Sequence, residues 1–487
     1  MKTKHFLLVF FYSFFIMVCN AGIANKHPHI VEIEKDDITR LIPREATLTG
    51  GIKLYSPEEH YKVFWAEKWN QPTQKIKWNL HSNGGRYKVA LLVSIKAKSS
   101  DASMSLLCST GETKQVCCIN NTKWQRIWLE EEFTLKRGIS ELSLQILSEG
   151  SSIDTEVKLF AVEVVNQLTY SKIKQESMCL RSDTKWMQKI PYGFFINWNS
   201  CCMPMQGNPL SYQEAAEAFN VTTFAKTMDD CGAKVIVLTT SWAGYYFPGP
   251  IKAIDAILPG RTSQRDLVAD LSDALHKYGI KLILYYHVGH GDKEWWDKQN
   301  FKLGAPGNAF INLEKIIREV SLRYKEKIAG FWFDDGIGYY PNKLSFRKIT
   351  KAAKAGNKNA VVCYNPWILP KLTDFQDFYS GELGITKYSA GLNDPYLLED
   401  GNGVFAGGPQ IGLQATYTGL LEKGDWTHRV KDTPISQPIL TIEQLENIIN
   451  ISKKKKNLPI INVLVYQNGA ISPASYNLLV KLKNRIK

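Results

Sequence analysis

The chain has 487 residues, of which 44 % are hydrophobic, 22 % charged and 11 % aromatic, a composition typical of a globular protein and unlike that of a disordered one. Its formal net charge is +13, but the basic residues are scattered apart from the run Lys453–Lys456. Because nucleic-acid binding requires positive charge gathered on one face, we expect no nucleic-acid partner, whereas attraction to acidic glycans or to a membrane surface stays open.

The first 24 residues have the pattern of a secretory signal peptide. Lys2 and Lys4 precede an uncharged apolar stretch over residues 6–18, and small residues follow it. The stretch is too short to span a bilayer, and no later segment approaches the roughly 20 apolar residues that a transmembrane helix needs. Bulky Val18 in front of Cys19 argues against a lipid anchor. We therefore expect a secreted or periplasmic protein without a transmembrane anchor.

Nine cysteines occur, and export would permit disulfides. Cys108 and Cys117 flank a Ser-Thr-Gly-Glu turn and are candidates to bridge a hairpin. No CxxC pair or histidine-rich segment has the spacing of a zinc site. The sequence does not define the disulfide pairing or the oligomeric state.

Residues 30–165 have the two-residue hydrophobic period of β-strands. We predict strands over residues 75–80, 87–95, 103–108, 125–135 and 157–165. Turns rich in Gly and Asn, such as that at 83–85, separate them without helical stretches, which predicts an antiparallel β-sandwich. Trp78 followed by Gly85–Val89 resembles the jelly-roll carbohydrate-binding modules, and this resemblance implies glycan binding. A structural domain packed on its neighbour is an equal alternative. Residues 166–189 are predicted to be a linker.

From residue 190 to residue 487 strand-like and helix-like segments alternate. Strand patterns cover residues 192–198, 234–239, 281–286, 330–334, 361–364, 375–380, 410–417 and 459–466. Amphipathic helical patterns lie between most of them, and Thr441–Gln444 is a capping box that opens the last helix before the final strand. Eight such strands predict a (β/α)8 TIM-like barrel. No GxGxxG follows a strand and no GxxxxGK[ST] occurs, which removes support for nucleotide-binding folds.

Active sites of such barrels lie at the C-terminal ends of the strands, where this sequence has aromatic, amide and acidic residues. The candidates for substrate binding are Asn197, Trp198, Trp242, Tyr286, Trp332, Asn365 and Trp367, and the candidate carboxylates are Asp334 and Glu382. Aromatic rings pack on sugar faces, and two carboxylates on separate strands supply the nucleophile and the proton donor of glycoside hydrolysis. His287 and His290 are the only near pair of imidazoles at these ends, and we expect neither a metal nor a cofactor.

Several short motifs, taken in their order along the barrel, resemble the α-L-fucosidases of glycoside hydrolase family 29. They are Gly193–Trp198, Phe224–Thr227, Cys231–Lys234, Val237–Thr240, Tyr278–Lys281 and Gly330–Asp334. The resemblance implies a retaining hydrolase with Asp334 as the nucleophile and Trp332 in the pocket. It implies a Glu further along as acid/base, for which Glu382 is the best candidate. Asp377 and Glu399 compete with Glu382, and Asp335 competes with Asp334.

The sequence departs from that family at three sugar-contacting positions. Asn197 stands where the family has His, Ser241-Trp242-Ala243 replaces a pair of histidines, and the Arg expected near Asn365 is absent. These changes favour a more apolar pocket and a methylated or otherwise altered deoxy-sugar. We predict a secreted retaining exo-glycosidase acting on α-L-fucosides or a related deoxy-sugar in an oligosaccharide or glycan. A fucosidase-like binding protein without turnover is the alternative, and a barrel lyase or isomerase lacks the metal or Lys base that it would need.

Overall fold

The computed structural model describes residues 29–55, 65–96, 101–108, 113–119, 121–146, 156–242, 244–287, 291–302, 304–335, 338, 340–366, 369–382, 403–407 and 410–486. The predicted signal peptide, including Cys19, lies outside these residues. None of the described helices is long and apolar enough to cross a bilayer.

The N-terminal strands form one connected mixed sheet of eleven strands. They are β1 (Ile30–Glu32), β2 (Thr39–Leu41), β3 (Thr47–Leu48), β4 (Lys53–Tyr55), β5 (Trp65–Trp69), β6 (Lys75–Lys96), β7 (Asp101–Cys108), β8 (Thr113–Ile119), β9 (Asn121–Trp128), β10 (Phe133–Ile146) and β11 (Glu156–Asn166). Strand β6 is central, because it lies between β11 and β10 in the sheet and also pairs with β1, β3 and β9. All these pairings are antiparallel except that of β1 with β6.

Strand β6 also corrects the predicted turn at residues 83–85. The two strands expected on either side are one strand of 22 residues, and β10 pairs with it through the glycines, with Leu135 opposite Gly85. Gly84 and Gly85 have φ angles of +78° and +118°, a backbone conformation that residues with a Cβ rarely adopt. The glycines therefore reshape the strand locally without ending it.

Side chains alternate across β6 between two packing surfaces. Leu91 and Val93 lie in the core of the sheet domain, whereas Leu92 belongs to the cluster formed with the barrel helices. In the backbone register of the β7–β8 hairpin, the residue opposite Cys117 is Ser103 rather than Cys108.

The predicted order, a β domain followed by a (β/α)8-like barrel, is confirmed. The barrel strands are β12 (Gly193–Ile196), β13 (Val235–Ser241), β14 (Lys281–His287), β15 (Gly330–Asp334), β16 (Val361–Tyr364), β17 (Phe378–Glu382), β18 (Gln414–Leu420) and β19 (Leu458–Asn462). The helices are α1 (Gln167–Cys179), α2 (Tyr212–Ala218), α3 (Val221–Asp230), α4 (Lys252–Asp255), α5 (Leu267–His276), α6 (Lys293–Lys298), α7 (Ala309–Tyr324), α8 (Phe346–Ala353), α9 (Ile442–Lys455) and α10 (Pro473–Arg485). Helix α1 occupies much of the predicted linker, and the Asn166 side chain caps it.

The eight barrel strands are parallel, in the order β16-β15-β14-β13-β12-β19-β18-β17. Side chains complete the circle between β16 and β17, which we call the seam. The Asp377 carboxylate accepts the Val362 N–H at 2.8 Å, and Gln376 Oε1 accepts the Tyr364 N–H at 3.1 Å. Lys354 neutralises Asp377 at 2.8 Å, with both side chains almost fully buried. The barrel is therefore nearly closed, and one part of its wall is built from side chains.

The β domain holds the loop that follows β15. Arg126 Nε lies 3.0 Å from Glu163 Oε2, and the Tyr340 hydroxyl donates to Glu163 Oε1 at 2.7 Å. Arg126 also donates to the carbonyl oxygens of Lys371 and Leu372. Because Tyr340 follows β15 in the chain, this buried cluster fixes the segment that leaves the C-terminal end of that strand.

Candidate active site

The barrel interior is apolar in its middle and polar at the C-terminal ends of its strands. Phe195, Val237, Tyr285, Trp332 and Cys363 belong to one buried cluster in the barrel interior. Two residues further along successive strands, the same faces carry buried or half-buried polar residues, namely Asn197, Thr239, His287, Asp334 and Asn365. Because side chains two residues apart share a strand face, the apolar interior is followed directly by this layer of polar side chains. We call the layer the floor of the site.

Asp334 is the acid among these floor residues. Its side chain is 23 % exposed, and it lies at the end of β15, where the strand ladder pairs it with His287. Asn365 Nδ2 donates to Asp334 Oδ1 at 2.7 Å, and the Tyr285 hydroxyl donates to Asp334 Oδ2. Neither partner is a cation, so the carboxylate is oriented by neutral donors and remains open on one side.

Asn365 is itself held in place. The Ser380 hydroxyl donates to Asn365 Oδ1 at 3.3 Å, and the Cys363 thiol lies 3.7 Å from that hydroxyl. Burial raises the pKa of the Cys363 thiol, which stays neutral. The chain Cys363–Ser380–Asn365 crosses from β16 to β17 and fixes which face of the amide points to Asp334.

His287, the last residue of β14, reaches the site. Its Nε2 lies 4.0 Å from Asp334 Oδ2, and its side chain is 5 % exposed. Its ring also packs near that of Tyr285, with centroids 6.2 Å apart. The signal was available in the sequence, because Ile283, Tyr285 and His287 share one strand face.

Trp198 and Tyr286, both expected in the pocket, lie on the opposite side of the barrel wall. Trp198 packs against Tyr212 and Phe219 in the helical layer, and its indole donates to the Gln467 carbonyl at 2.8 Å. Tyr286 is 2 % exposed and belongs to the same helix-side cluster. Strand alternation is the reason, since Phe195 and Tyr285 occupy the inward positions.

Of the other expected residues, Trp332 lies inside the barrel, whereas Asn197 and Trp242 lie at its mouth. Trp332 is 1 % exposed and packs edge-on against Phe195, one layer below Asp334. Asn197 is buried, and its Oδ1 accepts the Asn199 amide at 3.0 Å. Trp242 is half-buried and packs against the barrel-interior cluster. Trp367 and His290 lie outside the described residues.

A loop that sequence patterns did not single out completes the mouth. Trp426 is half-buried, and its ring centroid lies 6.0 Å from that of Phe195. Arg429 stacks on Trp242, with its guanidinium carbon 4.3 Å from the ring centroid, and its Nε lies 3.0 Å from Asp425 Oδ2. We call residues 425–429 the rim loop.

Buried amides anchor the rim loop to two strands. Asn462 in β19 donates to the Trp426 carbonyl at 3.2 Å, and Asn199, beyond β12, donates to Thr427 Oγ1 at 3.0 Å. The Met203 N–H donates to the His428 carbonyl at 2.9 Å. The loop is therefore held at three consecutive residues, which leaves Arg429 on a fixed backbone.

Several buried polar atoms on the barrel floor have no hydrogen-bond partner among the described residues. They are Thr239 Oγ1, Trp332 Nε1, Thr418 Oγ1 and Asn462 Oδ1. Such groups cost free energy in the unliganded fold, and active sites are a place where that cost is tolerated. By contrast, Thr416 in the same strand as Thr418 donates to the Tyr379 carbonyl at 3.1 Å.

The competing carboxylates have different surroundings. Asp377 is a structural ion-pair partner in the seam and is 3 % exposed. Asp335 is 4 % exposed with a φ of +62°, so its side chain does not share the opening of Asp334. Glu382 ends β17, with Thr418 of β18 as its ladder partner, and Glu399 lies outside the described residues. Among the described residues, no group of three or more His, Cys, Asp and Glu side chains could hold a metal ion.

A parallel barrel with an oriented carboxylate at the C-terminal end of its fourth strand is an arrangement that serves glycoside hydrolysis. Comparison with known families identifies the class of enzyme as a glycosidase. Residues 208–389 match the family described as alpha-L-fucosidase, which supports at the family level the resemblance seen in the sequence. A search of curated proteins found no match.

The structure is also similar to solved fucosidases at low sequence identity. An α-L-fucosidase of glycoside hydrolase family 29 from Bacteroides thetaiotaomicron is 15 % identical, with 63 % of this chain and 74 % of that chain covered and a TM-score of 0.44. The Thermotoga maritima α-fucosidase is 15 % identical, with 63 % and 75 % covered and a TM-score of 0.42. An endo-fucoidan hydrolase of glycoside hydrolase family 107 is 14 % identical, with 62 % and 53 % covered and a TM-score of 0.48.

Proposed function

We propose that the protein is a secreted, retaining exo-glycosidase that removes α-L-fucosyl or closely related deoxy-sugar residues from glycans. The observation that carries this proposal is the Asp334 carboxylate, partly exposed at the barrel mouth and oriented by Tyr285 and Asn365, with no Lys or Arg of the described residues paired to it. A carboxylate in that state is available to attack carbon, whereas an ion-paired one such as Asp377 is not.

The proposed reaction is a double displacement. Asp334 forms a bond to the anomeric carbon while the bond to the leaving oxygen breaks, and Glu382 gives its proton to that oxygen. Glu382 then takes a proton from water, whose oxygen attacks the anomeric carbon and releases Asp334. The net configuration is retained because the carbon is inverted twice.

The position of Glu382 in the barrel supports it as the acid/base. It ends β17, so its backbone lies at the same end of the barrel as Asp334. The two residues are on strands separated by β16 and the seam, and retention requires their carboxyl groups to come within about 5.5 Å.

The mouth also suits a sugar ring. Trp242 and Trp426 offer half-buried aromatic surface on which the C–H face of a pyranose can pack. The Asn365 amide, the Tyr285 hydroxyl and the His287 imidazole surround Asp334 and would bind the sugar hydroxyls. These contacts accommodate α-L-fucose and modified deoxy-sugars. The N-terminal signal pattern is the basis for proposing secretion.

Asp334→Ala tests the proposal against aryl α-L-fucosides and fucosylated oligosaccharides. We expect kcat to fall at least about a thousandfold, as for other catalytic nucleophiles, and the first product of the wild-type enzyme to have the α configuration by proton NMR. Asp335→Ala is the neighbouring control. A wild-type protein that binds fucosylated glycans but hydrolyses none would favour the binding-protein alternative, and a β product would exclude retention.

A further inference from the structure

We propose that Arg429 makes the enzyme selective for fucosides that carry an anionic group, a sulfate ester or a carboxylate, on or beside the residue that is released. This inference deepens the proposed function and rests on it. Arg429 is not part of the fucose-contacting pattern that the sequence suggested. It lies on the rim loop, directly over the aromatic wall of the pocket.

The first argument is the geometry of the guanidinium. It stacks on Trp242 at 4.3 Å, and Trp242 in turn packs against the cluster that fills the barrel interior. Only Nε is used by Asp425, at 3.0 Å, and the terminal nitrogens make no hydrogen bond to any of the described residues. The Arg429 side chain is 42 % exposed. Two parallel N–H groups are therefore presented at the mouth, which is the geometry that binds carboxylate and sulfate oxygens in a bidentate way.

The second argument is preorganisation. The bonds to the Trp426, Thr427 and His428 positions fix the backbone next to Arg429, and stacking on Trp242 fixes the plane of the guanidinium. A long exposed side chain normally loses rotamer entropy when it binds a ligand. In Arg429 the folded protein already restricts much of this rotamer freedom. An anion that contacts the terminal nitrogens of Arg429 therefore binds with a smaller loss of side-chain entropy.

The third argument comes from a second stacked arginine in the neighbouring β13–α5 loop. Arg261 lies over Tyr246 at 4.6 Å, but its NH1 donates to Asp292 at 3.0 Å and its NH2 to Glu294 at 3.3 Å. Its side chain is 13 % exposed. Arg261 thus shows the same stacking with both terminal nitrogens occupied by acids, as a structural arginine would have them. The net charge of +13 further favours the approach of acidic glycans.

The test compares kcat/KM for a neutral aryl α-L-fucoside with that for its 2-, 3- and 4-O-sulfated forms and for a fucosylated uronic-acid disaccharide. We expect the wild-type enzyme to prefer at least one anionic substrate. In Arg429→Gln the ratio of anionic to neutral kcat/KM should fall about tenfold or more, as expected for the loss of a charge-assisted hydrogen-bonded pair. Arg429→Lys should restore only part of it. The wild-type ratio should also decrease with added salt, because salt screens the exposed charge.

Arg261→Gln is the matched control and should leave the ratio unchanged while lowering thermal stability. An equal ratio in the wild type and Arg429→Gln, an equal fall in Arg261→Gln, or hydrolysis of neutral fucosides alone would overturn this inference and leave the proposed function standing. A wild-type protein that neither hydrolyses nor binds any of these fucosides would overturn both.

Discussion

Glu422 offers a quantitative test of a buried carboxyl at the end of β18. It lies between β18 and the rim loop, with a side chain 0 % exposed. Ser475 at the start of α10 donates to Oε1 at 2.5 Å, and the Leu464 N–H donates to Oε2 at 3.1 Å. Burial outweighs these hydrogen bonds and raises the pKa of Glu422 from the ordinary 4.5 to about 7. The carboxyl is therefore a proton-dependent link between the end of β18, the segment that follows β19 and the last helix.

The sign of its effect follows from proton linkage. Between pH 4.5 and about 7 the folded protein holds a proton on Glu422 that the unfolded chain has released, so stability is lost as the pH rises. The full interval corresponds to about 3 kcal/mol. Glu422→Gln should remove this dependence, because Gln can accept from Leu464 and donate to the Ser475 hydroxyl. Relative to the wild type, the variant should gain up to about 3 kcal/mol of unfolding free energy between pH 5 and pH 8.

Urea unfolding followed by tryptophan fluorescence, at several pH values from 5 to 8, measures this difference. Glu130→Gln, a change at an exposed glutamate, is the control and should show a difference that does not vary with pH. A variant-minus-wild-type difference that stays constant, or that decreases with rising pH, would refute the assignment of Glu422 as a buried proton-binding group.

Two paired substitutions test the floor of the site. Tyr285→Phe removes the hydroxyl that donates to Asp334, so kcat/KM for an aryl fucoside should fall about tenfold. Tyr286→Phe, on the helix side of the barrel wall, should change mainly thermal stability. Equal kinetic effects of the two substitutions would contradict these placements. Thr418→Val deletes a buried hydroxyl without a partner among the described residues and should leave the unfolding free energy equal or raise it. Thr416→Val breaks a hydrogen bond to the Tyr379 carbonyl and should lower the unfolding free energy by about 1 kcal/mol. Equal changes in the two variants, measured by chemical denaturation, would contradict this difference.

The architecture could be predicted because the barrel strands are buried on both faces and therefore appear as uninterrupted apolar runs. The predicted strand at 330–334 coincides with β15, and that at 361–364 with β16. The prediction failed where polar residues build the wall. Residues 375–380 were expected to form a strand, but β17 begins at Phe378, because Gln376 and Asp377 bond to β16 through their side chains.

The placement of side chains at the barrel mouth was predictable where a motif or a strand face defined it, as for Asp334 and Asn365, whose roles stay predictions. The choice of Tyr286 over Tyr285 overlooked the alternation that places Ile283 inside the barrel. Arg429 could not have been found in this way. Its loop has no hydrophobic period, and its contact with Trp242 joins residues far apart in the chain. Such contacts arise only when the β18 and β13 loops meet in three dimensions.

The seam has a consequence for the width of the catalytic cleft. Asp334 is oriented by Asn365, which follows β16, whereas Glu382 ends β17. The two proposed catalytic carboxylates, Asp334 and Glu382, therefore lie on opposite sides of the seam. Across the seam, one main-chain hydrogen bond, from the Asp377 N–H to the Val362 carbonyl at 2.7 Å, accompanies the side-chain hydrogen bonds. Exchanging Gln376 or Lys354 should therefore alter the spacing between the proposed nucleophile and the proposed proton donor without breaking the main-chain pairing of any two barrel strands.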